Sequence, residues 1–193
     1  MRVEVLERQR EHDGFFKLDS VVLRHEKFDG TMSDELSRLV FERGDSAAVL
    51  LYDPLDDEVV LVEQFRYPAY VREGGDGRLL EVVAGVVDRG RTPEEVARAE
   101  LVEESGYTVD HLEPLATFYA SPGACTERIH LYLGCLASGS SVGQGGGLAD
   151  HGEDIRVRHF TLDEARTLIE RGVIRDAKTI LAVQCLLLRR KGA

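Results

Sequence analysis

Cysteine is scarce in this chain, and cations are outnumbered. The three cysteines, Cys125, Cys135 and Cys185, stand far apart in 193 residues. An odd number with no Cys-x-x-Cys spacing argues against a disulfide framework and reads as reduced intracellular thiols serving as small core residues. Lysine and arginine total 24 against 35 aspartates and glutamates, a formal net charge of −11. That balance argues against nucleic-acid backbones and anionic membranes as main partners, and an anionic substrate would need local help from a metal or a few placed Arg and Lys. No apolar stretch like a signal peptide opens the chain and no run approaches a membrane span, so the expected location is cytoplasmic. There is no internal repeat and no linker long enough to split the chain, which is long enough for one well-buried core or one domain with an extra subdomain.

What the chain does contain is a glycine loop running into an acidic helix between Gly85 and Tyr107. Thr92, Pro93 and Glu95 form a Thr-x-x-Glu capping box with proline at the first helical position, so a helix starts at 92. Gly106 sits where a left-handed terminating residue is wanted, giving a helix of about three and a half turns. At 100° per residue Glu100 and Glu104 project together, with Glu103 one step round the same face. Like charges at this spacing repel by a few tenths of a kcal/mol per pair, roughly, in an isolated helix. A hard divalent cation such as Mg²⁺, keeping waters and a phosphate substrate, would reverse that penalty; a solvated acidic face is the plainer alternative. Glu94 and Arg98, four residues apart on the opposite side, read as a surface pair.

Gly85 followed fifteen residues later by Glu100-Leu101-x-Glu103-Glu104-x-Gly106-Tyr107 resembles the signature of the Nudix hydrolases. In that family the helix holds Mg²⁺ or Mn²⁺ against a diphosphate joining a nucleoside to another group. Two signature positions depart: a family glutamate is Arg91 here, and the family arginine before the first metal-binding glutamate is Ala99. A carboxylate has become a cation and a cation a methyl group, so no charge is stranded if the two normally pair.

The flanks extend the resemblance, from about Arg38 to Lys178, toward the branch that hydrolyses ADP-ribose and nucleotide sugars, with the GDP-mannose hydrolase group nearest. By itself Arg66, closing a strand before Tyr67-Pro68, is a surface cation; Gln64-Phe65-Arg66 resembles a run whose arginine meets substrate phosphate. The loop from Ser121-Pro122-Gly123 to Thr126-Glu127 resembles one in the same branch, making Glu127 a metal-site or substrate contact as readily as a loop end in solvent. Ser138 to Gly147 reads from composition as a flexible loop, leading to Glu153-Asp154-Ile155. In the branch a glutamate before Asp-Ile completes the metal site and is a candidate base, and Glu153 matches it; His151 reads as a solvated loop histidine. Arg175-Asp176-Ala177-Lys178-Thr179 resembles a run whose lysine contacts the sugar nucleotide, and a cation at a helix start calls for an anion nearby.

The expected architecture is the Nudix α/β/α sandwich with a mixed sheet in residues 45–193, plus a small antiparallel sheet in residues 1–44 that the resemblance implies is exchanged across a homodimer. The implied function is metal-dependent hydrolysis of a nucleoside diphosphate sugar at its pyrophosphate. ADP-ribose or a UDP-sugar is the alternative substrate, and a non-catalytic nucleotide sensor the alternative of another class. The resemblance places the metal (Mg²⁺ or Mn²⁺) on the Ala84 carbonyl, Glu100, Glu104 and Glu153. It assigns the base to Glu153 or Glu103, and substrate contacts to Arg38, Arg66, Gly85, Glu127 and Lys178.

Overall fold

The computed structural model describes residues 1–193 apart from Arg89, Ser138, Ala149, His151 and Ala193, with Lys191 and Gly192 described by backbone alone; the histidine considered above, His151, lies outside the described residues. Alternating short runs in the first part of the chain pair as three antiparallel strands in the order β1 (Val3–Asp13), β2 (Lys17–His25), β3 (Leu36–Glu42). A tight turn at Asp29-Gly30 follows β2. Lys27 N–H donates to Thr31 O at 2.7 Å, the Asp29 carboxylate accepts from Thr31 N–H at 2.9 Å, and Gly30 takes a positive φ of 81° that favours glycine. On this sheet Asp19, only 1% exposed, accepts from Arg8 at 2.5 and 2.8 Å and from Arg10, and these bonds hold its carboxyl below the usual range.

These strands and the segment Phe118–Arg128 form one unit; Ser46–Thr117 with Ile129–Ala193 forms the other. Within the first, Phe41 N–H donates to Ala124 O at 2.7 Å and Thr126 N–H to Phe41 O at 3.1 Å, so the loop carrying Glu127 is hydrogen-bonded to β3.

The second unit is built on β4 (Ser46–Asp53), whose residues from Ser46 to Leu51 are all buried, as its continuous apolar run requires of a central strand. It lies antiparallel to β5 (Glu58–Phe65) and parallel to β9 (Arg128–Cys135), in a mixed sheet ordered β10 (Ile155–Thr161), β5, β4, β9, β8 (Leu112–Tyr119). Alternation puts Ala47, Val49 and Leu51 on one face with Val96, Ala97 and Leu101, and Ala48 and Leu50 on the other, where α4 (Ala177–Gly192), next in the chain after α3 (Leu162–Glu170), packs. Helices thus cover both faces, and burying each leucine of this core contributes about 1.5–3 kcal/mol.

Two elements are additional to the sequence reading, and the cysteines depart from it. Tyr67–Glu73 forms a short helix, α1, started by Pro68 and without a buried residue. The segment leading to Gly85 forms two strands, β6 (Arg78–Glu81) on β5 and β7 (Val83–Val86) on β4, broken at Val82, whose N–H donates to the Thr179 hydroxyl at 2.8 Å. The three cysteines are free, but Cys135 is exposed and the other two only half-buried, so they are not core residues. Among the described residues no helix is long and apolar enough to cross a membrane.

Candidate active site

The acidic helix α2 (Pro93–Glu100) begins as the capping box dictates: Thr92 Oγ1 accepts from Glu95 N–H at 3.2 Å, and the Glu95 carboxylate accepts from Thr92 N–H at 2.7 Å. It does not finish as an α-helix. Leu101–Ser105 is a π turn, ended by Gly106 at φ 74°. The widened turn carries Glu103 and Glu104, so the acidic face does not follow 3.6-residue spacing to its end.

Glu104 is 4% exposed, and its carboxylate accepts from Ala84 N–H at 3.1 Å. Burial, with Glu100 and Glu153 adding repulsion, pushes its carboxyl up to about 8. Burial, then Glu103 and Glu153, also raises Glu100. The Glu100 carboxylate occupies the space above Gly85 that any side chain there would fill. Glycine is therefore needed at 85 to admit a carboxylate beside the backbone of β7. Two raised carboxyls, Glu100 and Glu104, with the charges of Glu103 and Glu153 close by, are the electrostatic mark of a place for a cation.

The Gly-rich loop holds the fourth. Taken from composition as flexible, it is stitched down: Gly147 N–H donates to Glu103 O and Gly146 N–H to Glu104 O, each at 3.0 Å, and Val142 and Gly143 N–H donate to Gly106 O at 2.8 and 3.1 Å. These donors satisfy carbonyls left open at the end of the helix. A Cβ on Gly145 would collide with the Glu104 carbonyl oxygen, and one on Gly147 would come within 2.7 Å of Glu153. Glu153 is exposed, and its carboxylate accepts from Leu148 N–H at 2.8 Å.

Beside this cluster stands a clamp of opposite charge. Glu81, 3% exposed, accepts from Arg66 at 2.7 and 3.1 Å and from Lys178 at 2.5 Å. Burial alone would raise the Glu81 carboxyl; the two cations more than reverse this and hold it below its ordinary value. Arg66 and Lys178, single residues in the sequence reading, thus share one buried carboxylate, which orients them. Arg91 pairs with Asp88 at 2.8 and 2.9 Å. The pair Glu94–Arg98 forms at 2.9 Å on the exposed side.

Arg38 and Glu127 belong to the first unit. Arg38 is exposed and donates to Ser37 O at 2.8 Å; Glu127 is buried and accepts from Arg43 at 3.3 Å. A hollow of about 730 Å³ in that unit, lined by Met1 and residues 25–30, includes none of the candidate site residues, so the chemistry rather than the hollow locates the candidate site.

Among the described residues no three acidic, His or Cys side chains converge as a ready-made metal cage. Mg²⁺ does not demand one: it keeps several waters and takes one or two carboxylates plus substrate phosphates. A buried carboxylate at Glu104, a second seated over Gly85 and a backbone carbonyl at Ala84 are oxygen donors that fit such an ion.

A family model described as NUDIX domain matches residues 42–183. An ADP-ribose pyrophosphatase of Escherichia coli (strain K12) is 42% identical over 184 residues, 95% of this chain and 87% of that one. A GDP-mannose pyrophosphatase of Cronobacter sakazakii is 38% identical over 189 residues, 98% of this chain and 97% of that one. The crystal structure of an ADP compounds hydrolase superposes with a TM-score of 0.73 at 19% identity, covering 100% of this chain and 96% of that one, a likeness of fold.

Proposed function

Because the chain belongs to the NUDIX domain family, we propose that it hydrolyses the pyrophosphate bond of a nucleoside diphosphate sugar of the GDP-mannose kind, giving a nucleoside monophosphate and a sugar phosphate. The observation that carries this is the pairing of two carboxylates, half-buried Glu100 with buried Glu104, and two oriented cations, Arg66 and Lys178, on Glu81. Mg²⁺ or Mn²⁺ held by Glu100, Glu104, the Ala84 carbonyl and Glu153 would supply Lewis-acid polarisation of the phosphoryl oxygens and a more acidic water. The protein's own groups do the rest. Arg66 and Lys178 donate to the remaining phosphate oxygens, Glu153 or Glu103 takes the proton of the attacking water, and Gly85 leaves room for the Glu100 carboxylate against β7.

ADP-ribose is the second reading, favoured by the higher identity to the ADP-ribose pyrophosphatase. Product release from GDP-mannose, ADP-ribose and UDP-glucose, with and without Mg²⁺ or Mn²⁺, separates the two. Metal-dependent release of a monophosphate is expected, and the fastest substrate names the subgroup. Binding without cleavage would instead mean that Arg91 and Ala99 have left a nucleotide sensor. Glu100→Gln should abolish turnover, and turnover within about three-fold of wild type would refute the assignment. Arg38→Ala and Glu127→Gln on the same panel decide whether those residues contact substrate. The reading places the protein with the nucleotide pool of the cytoplasm, as a homodimer formed through residues 1–44.

A further inference from the structure

Lys178 is 14% exposed, and its ammonium spends two of its three donors on Glu81 at 2.5 Å and Asp176 at 2.9 Å. A lysine held at two points aims its third donor in one direction. Asp176 is committed in turn: its other oxygen accepts from the Thr179 N–H at 2.9 Å and from the Thr179 hydroxyl at 2.5 Å. That hydroxyl belongs to a fully buried side chain and also accepts from Val82 N–H at 2.8 Å, across 97 residues of sequence. Val82 and Val83 separate Glu81, which grips both cations, from Ala84 and Gly85, which meet the carboxylates of Glu104 and Glu100. Capping α4 needs only the bond from Thr179 N–H to Asp176, so the hydroxyl's link to Val82 is an additional function.

We propose that Thr179 is a positioning residue: through Asp176 it fixes the Lys178 ammonium, and through Val82 it fixes the strand break that sets Glu81 and hence Arg66. This rests on the pyrophosphatase reading above. Without the hydroxyl, Val82 N–H is left buried without an acceptor, and Asp176 loses a donor that holds it toward Lys178. The two cations then reach the substrate diphosphate from a wider set of positions, which weakens binding before it weakens chemistry.

The test is steady-state kinetics, with melting curves alongside, on Thr179→Val, Thr179→Ser, Lys178→Met and the Val/Met double variant, using the best substrate of the panel. Thr179→Val should raise KM about ten-fold with kcat within about three-fold, and Thr179→Ser should restore KM. The double variant should lose less than the product of the two single effects, because both changes break one unit. An additive double variant, or an unmoved KM in Thr179→Val, overturns the proposal. If Thr179→Val does not fold, Asp176→Asn, which can still cap the helix but takes the charge from Lys178, carries the same cycle. Wild-type cleavage with an additive cycle refutes the tether alone; a wild type that neither cleaves nor binds any panel member refutes the pyrophosphatase reading and the tether with it.

Discussion

A Cβ on Gly85 would fall inside the Glu100 carboxylate, and the atoms it meets are the far end of a flexible side chain. Gly85→Ala should therefore fold, with Glu100 pushed aside rather than the backbone. Displacing a reacting group by about 1 Å can lower turnover about 100-fold, so that is the expected loss, measured on the best panel substrate with a melting curve as control. Turnover within about three-fold of wild type would show that Glu100 is not where the chemistry needs it. Glu81 makes a pH-dependent contribution of definite sign. Its folded pKa lies below the ordinary 4.5, so its stabilisation is complete above that pH and is lost as pH falls through the lower folded value. The gap in melting temperature between wild type and Glu81→Gln should be full at neutral pH and close below about 4.5. A gap that persists at the lowest pH at which both variants still fold would contradict the charged clamp.

The π turn and the Gly-rich loop are one construction, because the loop's N–H groups donate to the carbonyls of Glu103 and Glu104. Gly145 and Gly152 both have positive φ, 65° and 73°, but only a Cβ on Gly145 meets the helix backbone. Gly152→Ala isolates the left-handed strain, about 1–2 kcal/mol, with turnover unchanged. Gly145→Ala should lose that and, in addition, at least about ten-fold in turnover as the π turn shifts its glutamates. Equal effects of the two on turnover would separate the loop from the site. Such couplings explain what the sequence made legible. The capping box at Thr92, which sets the helix start, and the surface pair of Glu94 with Arg98 are local patterns, and each formed as read. The π turn, the break at Val82 and the shared carboxylate at Glu81 depend on partners far away in sequence, which spacing does not carry. The same holds for the loop, where composition alone says flexible and long-range hydrogen bonds decide otherwise.

At the scale of the whole molecule, the first unit presents an edge strand that a folded chain has reason to cover. All eleven residues of β1 are exposed, among them Val3, Val5 and Leu6, and β1 ends the order β1, β2, β3 with one backbone edge unpaired. An exposed edge of that length, with apolar side chains, is a template for pairing with another chain. A second copy of this chain would bring apolar surface to it, along with a net charge of −11 on each partner. Contact of this kind is opposed by charge at long range and favoured by burial at short range, so it should tighten as salt screens the repulsion over about 10 Å at 0.1 M. Sedimentation at low salt and at about 0.3 M salt should show twice the 21.5 kDa chain mass, with association stronger at the higher salt. Val5→Asp with Leu6→Asp should return the mass to one chain while the melting of the second unit is unchanged. A wild-type protein of single-chain mass under both conditions would mean that the edge of β1 stays uncovered and that the N-terminal sheet does not make the dimer.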